Sequence, residues 1–440
     1  MALGPHEVLL LVNENSRDSV EVAQEFTKLR YVPESNIVRL NLPDRVVKSP
    51  SEITPEDFAK LIWEPAVHAA KQRGIDDHIL AWVYSVDFPV RIRANPVISI
   101  QGLTFLRNKM PQPDQVKRSN PYSSPLFAGP VNTKGLMHYS QTFDVYNAWL
   151  GNDMPLPNMT LGYTGKGGNS KESVLNCLRQ GTASDGTAPT GTVCFIKSND
   201  IRSTCRDWQF PLAQKTLKSL GVNSVITETF PTDQKEILGL MIGAANVDPE
   251  KGNNTFLPGS MAEHLTSFAA VFHSSNQTKL SVWVESGATA SAGTVTEPFA
   301  AWIKFPSAMF FVHYASGCTM IESFYQSISC PLEIFLAGDP LARPWESKAE
   351  LVLHGLKNER ISGKITLSAD VESKEKHYYG KFVYLLNGRV VGTNKILELD
   401  TAALENGEHI LRVVGYRTGM VRDQVFEERK IEIRNSGRRN

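Results

Sequence analysis

The chain holds little that would commit it to a specialised class. Forty-six Lys and Arg residues balance forty-six Asp and Glu residues over 440 positions, so the formal net charge is zero. That balance removes the broad basic footprint of a nucleic-acid coat or a polybasic membrane binder. Cysteine is scarce: Cys177, Cys194, Cys205, Cys318 and Cys330 are too scattered for a disulfide framework, and none forms the C-x-x-C pair of zinc or redox sites. The odd count leaves at least one free thiol. The rest fit one bridge, such as Cys194 to Cys205, or none, and so fit either redox compartment. No window approaches 18 uncharged apolar residues, so no transmembrane helix is expected. The start, Met1-Ala2-Leu3-Gly4-Pro5-His6, runs directly into a strand-like stretch with no basic region and no cleavage site, so no export signal is read there. H-E-x-x-H, calcium-loop and phosphate-loop spacings are missing as well, and neither a metal nor a cofactor is expected.

What is present is an ordinary globular composition, 41% hydrophobic and 21% charged, able to bury a sizeable core. An apolar run over 7–12 leads through the polar turn Asn13-Glu14-Asn15-Ser16 to an amphipathic stretch from Ser19, then to Ile37, Val38 and Leu40, which reads as a β-α-β unit. The alternation continues with a helix over 51–70, strands over 78–86 and 192–197, a helix over 212–220 and a strand over 222–229. Leu280 to Val284 reads as a buried strand, Pro298 to Tyr314 as a helix interrupted at Pro306, and Ile334 to Ala337 as a last short strand. Residues 95–160, rich in Pro, Asn, Ser and Gly, read as a long surface excursion. From about 348 the pattern becomes short β segments separated by Asn387-Gly388 and Asn406-Gly407 turns. The expected fold class is α/β, a mostly parallel sheet flanked by helices over residues 1–347. A small all-β Ig-like sandwich is expected over 348–435, with a tail at 436–440.

Two stretches invite chemistry. Pro258-Gly259-Ser260 to Phe268 carries His264 and Ser267, which on a helix would share a face, so that the imidazole would activate a hydroxyl of Ser267 or Ser260. The ordinary alternative is a histidine satisfied within the core. Gly287 to Pro298 reads as a loop of small residues whose free N–H groups would hold an oxyanion, with Thr289, Ser291 and Glu297 as ligand contacts; the alternative is a tight packing turn. At an earlier strand end, Asp87 and Arg91 would clamp a polar substrate, or simply close a turn as a surface ion pair. Gly165-Lys166-Gly167-Gly168 lacks phosphate-loop spacing and reads as a flexible turn.

Val12-Asn13-Glu14-Asn15-Ser16-Arg17-Asp18-Ser19-Val20 with Tyr31-Val32-Pro33, the two stretches just described, and Gly338-Asp339-Pro340-Leu341-Ala342-Arg343-Pro344 carry a resemblance. Over residues 7 to 345 the chain resembles an uncharacterised bacterial family of secreted or surface proteins that is distantly similar to the gingipain-type, caspase-like peptidases. In gingipain-type proteins an Ig-like module also follows the α/β domain. The resemblance implies a His at one strand end and a nucleophilic Cys at the next. This chain has neither: Leu238 to Asn246 holds no His, and Gly259 to His264 holds Ser but no Cys. The expectation is therefore a hydrolase-like cleft over 258–268 and 287–298 without the usual dyad, with His264, Ser260 and Ser267 as its catalytic candidates. Its rival is a non-catalytic extracytoplasmic protein that binds peptide or glycan.

Overall fold

The computed structural model describes residues 3–117, 119–130, 154–356, 359–373, 377–419 and 421–435. Part of the expected surface excursion, 131–153, and the tail 436–440 lie outside the described residues.

Ten strands build the central sheet: β1 (Val8–Asn13), β2 (Ile37–Leu40), β3 (Ala81–Tyr84), β4 (Asn158–Thr160), β5 (Thr192–Ile196), β6 (Asn223–Thr227), β7 (Ile237–Gly243), β8 (Phe256–Leu265), β9 (Ala290–Thr294) and β10 (Ile334–Gly338). Their spatial order is β2-β1-β3-β4-β10-β9-β8-β7-β5-β6. Pairing is parallel from β2 through β10 and again from β9 through β6, whereas β9 and β10 run antiparallel. The sheet is thus two five-stranded parallel halves of opposite direction, joined along β9 and β10. Strands such as β1 (Val-Leu-Leu-Leu-Val-Asn) are buried at every position, which is why they read as continuous apolar runs instead of alternating ones.

Helices cover the sheet. The first, α1 (Arg17–Arg30), starts where the Ser16 hydroxyl accepts the Ser19 N–H and stops at Tyr31 in the left-handed region. It buries Val22, Ala23 and Phe26, and its partner α2 (Lys171–Ser184) reaches it through Lys171, which pairs with Asp18 and Glu21. No helix among the described residues is long and apolar enough to cross a membrane.

The all-β region begins at Ala349 and has two sheets. One contains Ala349–His354, Lys364–Ser373 and Ile396–Asp400; the other contains Arg360–Ile361, Gln424–Ile433, Gly407–Arg417, Tyr379–Leu386 and Arg389–Gly392. Leu351, Leu367, Tyr384, Leu397, Leu411, Val413 and Ile431 form its core. It is tied to the α/β part by buried polar contacts. The Glu7 carboxylate, just ahead of β1, accepts from Arg422 at 2.6 and 2.7 Å and from Gln424 at 3.0 Å, while Arg343 pairs with Asp423.

Three local expectations are corrected. Leu280 to Val284 is not a strand but the start of a short helix, Ser281–Glu285; an apolar run of this length has no period that separates the two states. The small residues after it are not a loop. Ala290–Thr294 is β9, in ladder register with β10 from Ala290 opposite Gly338 to Thr294 opposite Ile334. Small side chains are required because neighbouring chain passes so close: a Cβ on Gly293 would stand 2.6 Å from the Ala269 Cβ. Third, Pro298 to Tyr314 contains only a turn at Trp302–Lys304 and a helix at Met309–Ala315, with Pro306 between them.

Candidate functional site

His264 lies on β8, not on a helix, and is fully buried. Its Nδ1 accepts the Trp283 indole N–H at 2.8 Å. An indole only donates, so this bond fixes the tautomer: Nε2 carries the proton and donates it to the Thr278 carbonyl at 3.0 Å. Both ring nitrogens are therefore used within the core, and burial lowers the pKa to about 4. The expected pairing with Ser260 fails on geometry as well. Four residues along a strand rising about 3.3 Å each separate positions 260 and 264 by roughly 13 Å. Ser267 lies past the end of β8, its carbonyl accepting the Thr294 hydroxyl at 2.9 Å. His264 is a satisfied core histidine, and the proposed dyad with Ser260 or Ser267 is corrected accordingly.

The rest of the expected cleft is core too. Ser260 on β8, Thr289 just ahead of β9 and Ser291 on β9 are fully buried, and the Thr289 hydroxyl accepts the Gly259 N–H at 2.8 Å. β9 lies between β8 and β10 and is buried at every position, so its N–H groups do not open onto an oxyanion site. Glu297 is exposed and caps its own turn by accepting the Phe299 N–H at 2.9 Å. All five cysteines are free thiols, which settles Cys194 and Cys205 as unbridged. On the face of β8 opposite His264, Glu263 forms a buried ion pair with Arg206, whose Nη2 also donates to the Ile242 carbonyl at 2.7 Å.

Each parallel half has a point where the strand order reverses, and such points leave a crevice outside the carboxyl ends of the strands. In the half containing β5 and β7 this crevice is filled. A Cβ on Gly243 would stand 2.2 Å from the backbone of Arg202 and Ser203, so the chain segment after β5 lies directly against the end of β7.

The other reversal lies between β1 and β3, and there Asp87 stands. Its φ of 58° is a left-handed conformation in which Asp is one of the better tolerated residues. Neighbouring elements hold it from three sides. Ser16 donates to Oδ2 at 2.5 Å, Thr164 donates to Oδ1 at 2.7 Å, and the Asn13 amide donates to the backbone carbonyl at 3.0 Å. A carboxylate offers about four lone-pair positions, so two remain for an incoming donor. Asp87 is partly exposed. Beside it, Tyr163 stacks on Phe272 with ring centres 4.1 Å apart.

Arg91 does not join Asp87 in a clamp. It pairs with Glu52 on a small separate sheet, with exposed His273 nearby. Of the expected ligand contacts, the structure leaves Asp87 partly exposed at the strand reversal, held by two hydroxyls, and turns Arg91 into a neighbouring ion pair. Ser16 and Thr164 were missed. Ser16 was legible as a helix cap, but nothing in the spacing shows that its hydroxyl also reaches a residue 71 positions away.

The neutral imidazole of His264 has a measurable consequence. Its folded pKa lies below the unfolded value of 6.5, so its contribution is present above 6.5 and is lost as pH falls toward 4. A shift of this size corresponds to about 3 kcal/mol. His264→Gln keeps an acceptor and a donor but does not titrate. Urea midpoints should therefore fall less between pH 7 and pH 4 in this variant than in the unsubstituted protein; equal falls would overturn the assignment.

No family model matches the chain, and no curated protein matches it. Among solved structures it is similar to fibronectin(III)-like modules of Clostridium thermocellum CbhA, with 14% identity, a TM-score of 0.18, and coverage of 25% of this chain and 55% of that one. The chain thus spans about half the length of that structure. An endo-β-1,4-mannanase from Thermotoga petrophila shows 13% identity and a TM-score of 0.17 over 87% of this chain and 74% of that one. The Clostridium perfringens spore cortex lytic enzyme SleM shows 9% identity and a TM-score of 0.18 over 63% of this chain and 80% of that one. Likenesses at these scores carry no argument about fold or activity. What the chain itself displays is a mixed α/β protein with a large, mostly parallel sheet flanked by helices and a C-terminal all-β region.

Proposed function

We propose that the chain is a non-catalytic binding protein for a peptide or glycan. In this reading a gingipain-like, caspase-like α/β scaffold of an uncharacterised bacterial family presents the ligand site, and an Ig-like sandwich supports it. The observation that carries the proposal is the state of Asp87, a carboxylate held at the strand reversal by two hydroxyls with acceptor capacity left over. Peptide amides and sugar hydroxyls are the donors that such a group takes. The engagement of both His264 nitrogens supports the binding reading over hydrolysis. An extracytoplasmic location is part of the proposal and is supported by the family resemblance.

The test is a peptide and glycan array screened for both retention and cleavage. Retention without cleavage is expected, and Asp87→Asn should weaken it by about tenfold, the worth of one hydrogen bond to a charged group. Serine-directed covalent probes should leave Ser260, Ser267 and Ser291 unlabelled. Turnover of any arrayed compound, or a label on one of these hydroxyls that disappears in His264→Gln, would favour the hydrolase instead.

A further inference from the structure

The chain leaving the helix Ile100–Phe105 meets the chain entering β4, where the Leu156 N–H bonds the Phe105 carbonyl at 3.0 Å. A cavity of about 270 Å³ lies at this junction, small enough to admit only a small ligand. Met110, Met154 and Pro155 supply apolar wall, and Tyr122 stands edge-on to Phe105. The charged lining is Arg107 and Lys109, with no carboxylate.

Arg107 is the unusual member. The turn after the helix holds Arg107 and Asn108 in successive left-handed conformations, with φ of 51° and 62°, the first uncommon for a long side chain. The Arg107 side chain is half-buried, and its Nε donates to the Met154 carbonyl on the cavity wall at 2.6 Å. Nη1 and Nη2 have no partner among the described residues, and neither is sealed from solvent. Burial lowers the Arg107 pKa with no carboxylate to offset it, whereas a guanidinium taken out of water is ordinarily paired. The nearby Asp114 does not answer the charge: it is exposed, accepts the Asn120 amide at 3.0 Å and lies outside the lining. Gln115 adds neutral donors. Its Oε1 accepts the Gln112 N–H at 2.8 Å, which leaves its NH₂ group without an acceptor among the described residues. The lining thus gathers donors and positive charge, and nothing in it accepts them.

We infer that this cavity binds the phosphate group of a small phosphate ester, the phosphate toward Arg107 and Lys109 and the apolar remainder against Met110, Tyr122 and Met154. A phosphate monoester carries nearly two negative charges at neutral pH, which matches two cations, and its oxygens suit the guanidinium fork. The site lies at the amino end of β4. Because β3 and β4 are parallel, it is on the opposite edge of the sheet from Asp87, beyond the carboxyl end of β3, and it does not depend on the reading given to Asp87.

The test uses the full chain with phenyl phosphate, inorganic phosphate and phenol, followed by calorimetry and phosphorus NMR. Saturable binding of phenyl phosphate at one site per chain is expected, tighter than that of inorganic phosphate, with phenol failing to saturate. Arg107→Gln should weaken phenyl phosphate by about tenfold or more, the worth of a hydrogen bond to a charged group. Gln115→Glu keeps an acceptor for the Gln112 N–H, so folding is spared, and it sets a carboxylate in the lining; it should abolish binding while thermal unfolding stays cooperative. Lys218→Ala, at an exposed lysine outside the lining, should bind as the unsubstituted protein does. Failure of phenyl phosphate to saturate, binding no tighter than inorganic phosphate, saturation by phenol with equal affinity, undiminished binding in Gln115→Glu, or an equal loss in Lys218→Ala would each overturn the inference.

Discussion

Arg30→Met is expected to destabilise the protein by about 3–5 kcal/mol, the cost of removing one partner from a buried ion pair. Arg30 lies on α1 with its side chain 6% exposed, and it faces Asp339, which is fully buried just past β10. Its Nε donates to both carboxylate oxygens, at 3.0 and 3.2 Å, and its other nitrogens reach Asp339 again and Asp185. Burial alone pushes the Asp339 pKa upward and Arg30 pulls it back, so without the guanidinium an uncompensated carboxyl group remains in the core. Urea unfolding reads the effect as a shifted midpoint with an unchanged slope. Arg17→Met is the internal comparison: that ion pair sits on a side chain 88% exposed, and its loss should scarcely move the midpoint. The double variant Arg30→Met with Asp339→Asn should cost less than the two single changes added together. Strict additivity would mean that the pair is not coupled, and the expectation would fail.

Trp283→Ala is expected to cost a similar amount, about 3–5 kcal/mol, for a different reason. Trp283 is fully buried among Ile196, Ile237, Leu240, Phe256 and Ala262, so truncation leaves a cavity lined by side chains that cannot all collapse into it. It also removes the only indole N–H that holds His264 in its tautomer. Trp283→Phe separates the two effects, because it keeps most of the ring volume while leaving the His264 Nδ1 without a donor. That variant should lose roughly 1–3 kcal/mol, the cost of one unsatisfied buried group. Nitrogen NMR of the imidazole should show the Nε2–H tautomer in the unsubstituted protein. An Nδ1–H tautomer would contradict the bond from Trp283 and reopen His264 as a base.

Much of the architecture was legible because its strands are buried on both faces and therefore carry dense apolar runs. Val8–Asn13, Ala81–Tyr84, Thr192–Ile196 and Ile334–Gly338 all fall where such runs occur, and the β segments after Ala349 follow their turn residues closely. The middle of the sheet was harder. β9 is Ala-Ser-Ala-Gly-Thr, a composition that local propensity assigns to a loop; it is a strand paired on both sides, with β8 and β10, and Ala269 and Ala270 pass so close over Gly293 that a larger side chain would not fit there. β8 contains Pro258 and Gly259 and ends in Glu-His-Leu, so its polar residues suggested a site, whereas Glu263 and His264 are engaged by partners distant in sequence: Arg206 for a Glu263 oxygen, Trp283 for the His264 Nδ1. The same limitation hid Ser16 and Thr164. A hydroxyl's local role as a cap can be read from the chain, but a second bond across 71 or 77 positions needs the fold.

The contacts of Glu7 also set an order of events during synthesis. Apart from the nearby Gly4 N–H, its carboxylate is met by Tyr416, Arg422 and Gln424, more than 400 residues further along the chain. At ribosomal speeds that interval lasts roughly 20 to 80 s. Throughout it the first strand of the central sheet must sit beside a carboxylate whose partners have not been made. The amino-terminal edge therefore stays wet while the rest of the sheet assembles, and it becomes dry only when the closing strands of the all-β region arrive. Completion of the all-β region is what closes the surface around Glu7.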